Sequence, residues 1–168
     1  ELLSHYCTPD SHVLDPFVGS GSVLLEAAGM DLSATGYEIN PAAAILARTY
    51  ELCNIEENRR DDILSSIEDR IGDLFSKGAP LYEESGGSPQ NGDYQSKFES
   101  LLDSSSGIER LILETLTLTT KFGDEDISHK TVWREWNDLK EIISSLPYTD
   151  KNIRVGLSDA RDINLPDN

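Results

Sequence analysis

Three acids stand where three apolar runs end. Val13-Leu14-Asp15 leads into Pro16-Phe17-Val18-Gly19-Ser20-Gly21-Ser22, Gly36-Tyr37-Glu38 leads into Ile39-Asn40-Pro41, and Ile153 to Ser158 leads into Asp159. Each apolar run reads as a buried strand. A carboxylate at a strand end can accept hydrogen bonds from a ligand's hydroxyls or amines, and one such carboxylate suits the hydroxyl pair of a ribose. Glycines at 19 and 21 let the backbone approach a ligand closely. Asp15, directly before them, repels a pyrophosphate and welcomes a cation such as an ammonium. The pattern disfavours a pyrophosphate too: Leu24 stands where G-x-G-x-x-G needs its third glycine, and no G-K-[ST] follows the loop. An ammonium for Asp15, a ribose for Glu38 and the exocyclic amine of a purine for Asp159 together describe S-adenosylmethionine, which is the cofactor expected.

The elements that must position these acids follow from pattern and punctuation. Leu2 to Cys7 reads as the end of a helix and Pro9-Asp10 as a turn. His12 to Asp15 is a first strand, Ser22 to Ala28 a helix of good formers ended by Gly29, and Leu32 to Ile39 a second strand. Asn40 is a good N-cap with Pro41 at the first helical position, opening a helix to about Leu52. Strand, helix, strand, helix is the order of a parallel α/β sheet. Arg59 to Phe75 then carries Ile63, Leu64, Ile67, Ile71 and Leu74 at helical spacing. Gly78 to Gly107, rich in Ser, Gly, Asp and Pro, reads as a mobile loop. Ile108 to Thr120 and Asp126 to Leu146 read as two more helices, and Ile153 to Ser158 as a third strand. Trp133 and Trp136, three apart, read as packing residues rather than a base-stacking pair.

The expected organisation is therefore a sheet interrupted and resumed. Residues 1–56 form the first part of a Rossmann-like domain, 57–150 a helical insertion with its loop at about 78–107, and 151–168 a third strand of a sheet that continues beyond the chain. Three strands of such a sheet would leave a strand edge unpaired.

The residues also carry a family resemblance. Asp15-Pro16-Phe17-Val18-Gly19-Ser20-Gly21-Ser22 resembles motif I, D-P-F-x-G-S-G-T, of the amino-methylating DNA methyltransferases, which modify adenine N6 or cytosine N4; Ser22 replaces the usual threonine. Gly36-Tyr37-Glu38-Ile39-Asn40-Pro41 is similar to their second motif, G-x-[DE]-x-N-P, and Ser158-Asp159-Ala160-Arg161 to their third. The resemblance covers about Leu2 to Cys53 and Ile153 to Asn168. It implies a Rossmann-like S-adenosylmethionine-dependent methyltransferase sheet, incomplete in this chain. It implies that Asp15, Phe17, Gly19 and Gly21, with Pro16 and Ser20 of the same motif, surround the methionine part. Glu38 would hold the ribose, Ile39 would lie against the adenine, Asp159 would bind adenine N6, and Ala160 would offer its backbone N–H.

The family's catalytic motif, [DNS]-P-P-[YFW], does not occur in the 168 residues; Pro166 is followed by Asp167-Asn168. No catalytic residue is assigned, and this segment alone is expected to be inactive. Contacts to DNA, as in a restriction–modification methylase, are expected through parts outside it, and the remainder of the polypeptide or a partner subunit would complete the sheet. A transfer RNA guanosine-N2 methyltransferase, whose motif I continues like Val23-Leu24-Leu25-Glu26-Ala27-Ala28, is the nearest rival. The 121 residues between Glu38 and Asp159 (159 − 38) disfavour it. A non-catalytic S-adenosylmethionine-binding module is the other alternative.

Charge bounds the partners. Formal net charge is −17, from 31 acids and 14 Lys and Arg, so this surface repels phosphate backbones; it suits a high-salt cytoplasm. No apolar run reaches membrane-spanning length and no signal pattern opens the chain, which points to a cytoplasmic protein without a membrane. Cys7 and Cys53 form no CxxC pair, and His5, His12 and His129 are scattered, so neither a disulfide framework nor a metal site is expected.

Overall fold

The computed structural model describes residues 2–76, 91–120 and 129–163. Among them the fold is mixed α/β, with seven α-helices and a three-stranded parallel sheet in the order β1-β2-β3. The chain divides into two compact units, one of residues 1–60 and 143–168, the other of residues 61–142.

The first unit holds the sheet. After α1 (Leu2–Tyr6), β1 (His12–Asp15) pairs with β2 (Ser33–Glu38), which pairs with β3 (Ile153–Leu157). Helix α2 (Ser22–Gly29) joins β1 to β2, and α3 (Pro41–Arg48) follows β2 and continues into a 3-10 turn, Thr49–Asn54. Register puts Val13, Ala34 and Ile153 side by side, all buried, on a face where α2 supplies Leu24, Ala27 and Ala28 and α3 supplies Ala44 and Ala47. These small residues allow close approach of helix and sheet. Along the other parity of the strands, His12, Leu14 and Arg154 are exposed.

Asn40 starts α3 as its sequence predicts: its side-chain oxygen accepts from the Ala42 and Ala43 N–H groups at 2.9 and 3.4 Å, with Pro41 at the first position. The end of α2 differs from expectation. Gly29 is still helical, and the left-handed residue is Asp31, with φ 55°. The Leu32 and Asp31 N–H groups return to the carbonyls of Ala27 and Ala28, the Schellman pattern in which glycine usually takes that position. Asp31 is suited to it by its side chain, which accepts from the buried Thr149 hydroxyl at 2.7 Å.

The free edge of β3 is filled from within the chain. Asn54 Oδ1 accepts from the Ile153 N–H at 3.1 Å, and Glu51 Oε1 accepts from the Val155 N–H at 2.9 Å. Two side chains of the 3-10 turn thus take the place of a neighbouring strand on that side. The thiol of Cys53, in the same turn, is buried, and burial pushes its pKa up to about 11 against the opposing pull of Arg60. Arg60, itself buried, donates to the carbonyls of Leu52 at 3.3 Å and Leu146 at 2.7 Å.

The second unit contains most of α4 (Glu57–Ser76), α5 (Asn91–Asp103), α6 (Gly107–Thr120) and most of α7 (His129–Ser144). Its buried residues include Leu64, Ile67, Ile71, Phe98, Leu113, Leu116 and Trp136. Arg70 pairs with Glu109 at 2.7 Å, and Lys140 pairs with Glu68. Trp136 is fully buried, as a packing residue should be; Trp133 is half-buried and donates its indole N–H to His129 Nε2 at 2.8 Å.

Helix α5 is a correction. It lies within the stretch expected as loop from Gly78 to Gly107, of which residues 78–90 fall outside the described residues. Serines are poor helix formers because their hydroxyls compete for the backbone. Here the hydroxyls of Ser100, Ser104 and Ser105 donate to the carbonyls of Ser96 and Leu101 three or four residues back, and Phe98 and Leu101 are buried.

Candidate functional site

The three strand ends meet at one edge of the sheet. The Val18 N–H donates to the Tyr37 carbonyl at 2.9 Å, so the loop after β1 continues the ladder beside β2. The Ser158 N–H donates to the Glu38 carbonyl at 3.0 Å, so the residues after β3 do the same on the other side. Between them lies a small cleft of about 70 Å³ walled by Pro16, Phe17, Glu38, Ile39, Ser158, Asp159 and Ala160. Phe17 and Ile39 are 77% and 66% exposed, which is unusual for such side chains and leaves an apolar rim beside two carboxylates.

Two glycines explain how the loop seats. A Cβ on Gly36 would stand 2.5 Å from a Val18 methyl, so only glycine lets the loop close down on β2. Gly21 has φ 90°, and a Cβ there would stand 2.5 Å from the Tyr50 ring. The space that Gly21 leaves is therefore filled by Tyr50 of the 3-10 turn.

Glu38 is held by the backbone. Its Oε1 accepts from the N–H groups of Ile39 at 3.0 Å and Asn40 at 2.9 Å, and its Oε2 accepts from the Gly19 N–H at 3.0 Å. The Asn40 N–H, then those of Gly19 and Ile39, hold this carboxyl below the usual carboxylate range against the opposing effect of desolvation. A carboxylate offers about four acceptor positions. Three are taken, and the remaining one is on Oε2. A single ligand hydroxyl can donate there directly.

Asp159 is held differently. Its Oδ1 accepts from the Arg161 N–H at 2.9 Å, which caps the short 3-10 turn Ala160–Asp162. The Arg161 guanidinium spans both oxygens, with Nε at 3.0 and 3.1 Å and Nη2 on Oδ2. This side-chain contact, with the backbone N–H second, lowers the Asp159 pKa.

Of the residues that the sequence marked, Pro16, Phe17, Glu38, Ile39, Asp159 and Ala160 border the cleft. Asp15, Gly19, Ser20 and Gly21 are not in its wall. Gly19 is joined to it through Glu38, and Asp15 Oδ1 accepts from the Phe17 N–H at 3.0 Å, fixing the turn that presents Phe17. Ser158 and Arg161 were missed as site residues, although both lie inside the quoted Ser-Asp-Ala-Arg run; an aspartate two residues before an arginine is the signal for the pair. A larger cavity of about 410 Å³, bordered by Cys7, Asp10, Asp31 and Lys151 among others, contains none of the marked residues.

Among the described residues no group of three or more His, Cys, Asp or Glu is placed to hold a metal ion, and no helix is long and apolar enough to cross a membrane. Compared with known proteins, the chain matches no family model, no curated protein and no solved structure.

Proposed function

We propose that this chain is the cofactor-binding portion of an S-adenosylmethionine-dependent amino-methyltransferase acting on an exocyclic amine of adenine or cytosine in DNA, and that its sheet is part of a Rossmann-like domain. One observation carries the reading. Residues 121 positions apart in sequence, Glu38 and Asp159 (159 − 38), wall one cleft together with Phe17 and Ile39, and all four belong to the three motif-like stretches.

The residues fit the ligand in part directly and in part after rearrangement. Glu38 has one open acceptor position for a ribose hydroxyl. Ile39 and Phe17 offer exposed apolar surface for a purine and an alkyl chain. Ala160 stands in the cleft wall beside Asp159, and in this reading its N–H would meet the purine edge. Asp159 accepts an exocyclic amine in competition with the Arg161 guanidinium. Bound S-adenosylmethionine supplies a methyl group on a sulfonium. What this chain contributes is orientation: fixing the cofactor removes much of the entropy cost of bringing donor and acceptor together.

The catalytic groups and the DNA surface belong in this reading to residues outside the sequence given, since the [DNS]-P-P-[YFW] tetrapeptide is not among the 168 residues and the net charge is −17. A cytoplasmic restriction–modification system is the setting that goes with it.

Calorimetric titration tests the reading. S-adenosylmethionine and S-adenosylhomocysteine should each bind, whereas NAD and ATP, which put phosphates toward the acidic Asp15 loop in place of the methionine part, should not. Binding of NAD or ATP in preference to both sulfur ligands overturns the assignment.

A further inference from the structure

We propose that Arg161 gates the purine corner of this cleft: its guanidinium lies across both oxygens of the Asp159 carboxylate, and a ligand presenting an exocyclic amine competes with it for them. The proposal rests on the reading of the cleft as a site for an adenosine moiety. It starts from the occupancy of two oxygen atoms. Oδ1 takes the Arg161 backbone N–H and Nε, and Oδ2 takes Nε and Nη2. Three N–H groups, one of them shared by both oxygens, thus lie on this carboxylate, two of them from the guanidinium, and an amine that donates to Oδ2 competes with Nη2 there. With the guanidinium away, the backbone N–H still anchors Oδ1, so the carboxylate keeps its place and Oδ2 is free.

The pair is also asymmetric in a way that suits a gate. The Arg161 side chain is 86% exposed, whereas that of Asp159 is 20% exposed. The carboxylate is the fixed member and the guanidinium the member that can leave into water. An exposed ion pair is weak, and salt weakens it further. The displacement is therefore cheap, and it becomes cheaper as ionic strength rises.

Two consequences follow for ligand choice. Salt should tighten the binding of S-adenosylhomocysteine, a ligand with no net charge, because the competitor is screened while the chain's overall charge of −17 exerts little net force on it. The clamp should also blunt discrimination at the purine. A ligand carrying a carbonyl oxygen in place of the amine cannot donate to Asp159 from that position, but it can accept there from Arg161. Removing the guanidinium should sharpen the preference for the amine.

The test is calorimetric titration of the full chain and its Arg161→Ala variant with S-adenosylhomocysteine, and with its inosine counterpart, at low and molar salt. Arg161→Ala should bind S-adenosylhomocysteine about threefold tighter at low salt, lose the salt-dependent gain of the parent, and reject the inosine ligand more strongly. Arg161→Lys, a point charge that cannot span both oxygens, should fall between them. Equal affinity and equal salt dependence in parent and Arg161→Ala overturn the gate while leaving the site intact. Weaker binding by Arg161→Ala also overturns it, by making Arg161 a ligand contact. If neither protein binds S-adenosylhomocysteine, the adenosine reading falls and the gate falls with it. Because Arg161 is exposed, both variants should melt with the parent at molar salt, where the pair is screened, which checks that folding is not the cause.

Discussion

Glu38 ends β2 and Asp159 lies two residues past the end of its neighbour β3; both border the same cleft, yet they are held by opposite means. Glu38 is fixed by three backbone N–H groups, from Gly19, Ile39 and Asn40, none of which can leave without unfolding the loop. Asp159 keeps one backbone N–H and is otherwise covered by a side chain that is mostly in water. The difference teaches what each corner is suited to. A carboxylate fixed by the backbone is preorganised for a group that every ligand of the site carries, such as a ribose. A carboxylate under a movable cation can be covered or uncovered, and so can respond to what arrives. Preorganised donors and acceptors lose nothing to rearrangement on binding, whereas the Asp159 corner gives up an ion pair first.

The comparison is broken most severely from beneath the Glu38 corner. Gly36→Val places a side chain where Val18 packs, forces the loop off β2 and withdraws the Gly19 N–H from Glu38. Overpacking of this kind costs about 1–3 kcal/mol. Urea unfolding should show that loss, and S-adenosylhomocysteine binding should disappear with it; a variant as stable as the parent would contradict the close seating of loop on strand.

Substitution at the two acids comes next. Glu38→Ala should weaken S-adenosylhomocysteine binding by about tenfold or more, and should lower the melting temperature as well, because three N–H groups lose their acceptor. Asp159→Asn should weaken binding by only about threefold, since the amine's gain was already reduced by the ion pair it displaced. Equal effects at the two positions, read by the same titration, would remove the distinction between the corners.

Acid should act on both corners in the same direction. Folding lowers the pKa of Glu38 and of Asp159, so below the ordinary carboxylate range the unfolded chain binds more protons than the folded one. The stability that these carboxylates contribute is present in full above that range and is lost as pH falls through their lowered values. Melting temperatures measured downward from neutral pH should fall in that window. Glu38→Gln should flatten the fall at any ionic strength. Asp159→Asn should flatten it at low salt and do little at molar salt, where the Arg161 pair is screened. This is the smallest of the expected effects. A salt-sensitive Glu38 contribution would show that the backbone N–H groups are not what holds it.

Much of this site is legible in the sequence because it depends on local signals. An apolar run ending in an acid and followed by Gly19-Ser20-Gly21, and Asn40-Pro41 opening a helix, are decided by residues next to one another. The strand ends and the α3 cap follow from them. What the sequence hides depends on partners distant along the chain. Gly21 is read as room for a ligand, but Tyr50 occupies that room. Gly29 carries the usual mark of a helix end, yet the turn falls at Asp31, whose partner Thr149 lies 118 residues away. The serines near residue 100 argue for a loop until their hydroxyls are seen bonded to carbonyls of α5. The Arg161 clamp is local in sequence, but it needs the 3-10 turn at Ala160–Asp162 to fold the arginine back on Asp159.

In the proposed function, the cleft at the ends of β1, β2 and β3 receives an adenosine moiety. Amide chemical shifts measured while S-adenosylhomocysteine is added test it most directly. The N–H signals of Phe17, Gly19, Ile39, Asn40, Ala160 and Arg161 should move in a saturable way, and those of α4 to α7 should stay in place. Saturable shifts centred elsewhere, or none at any ligand concentration reached, would contradict it.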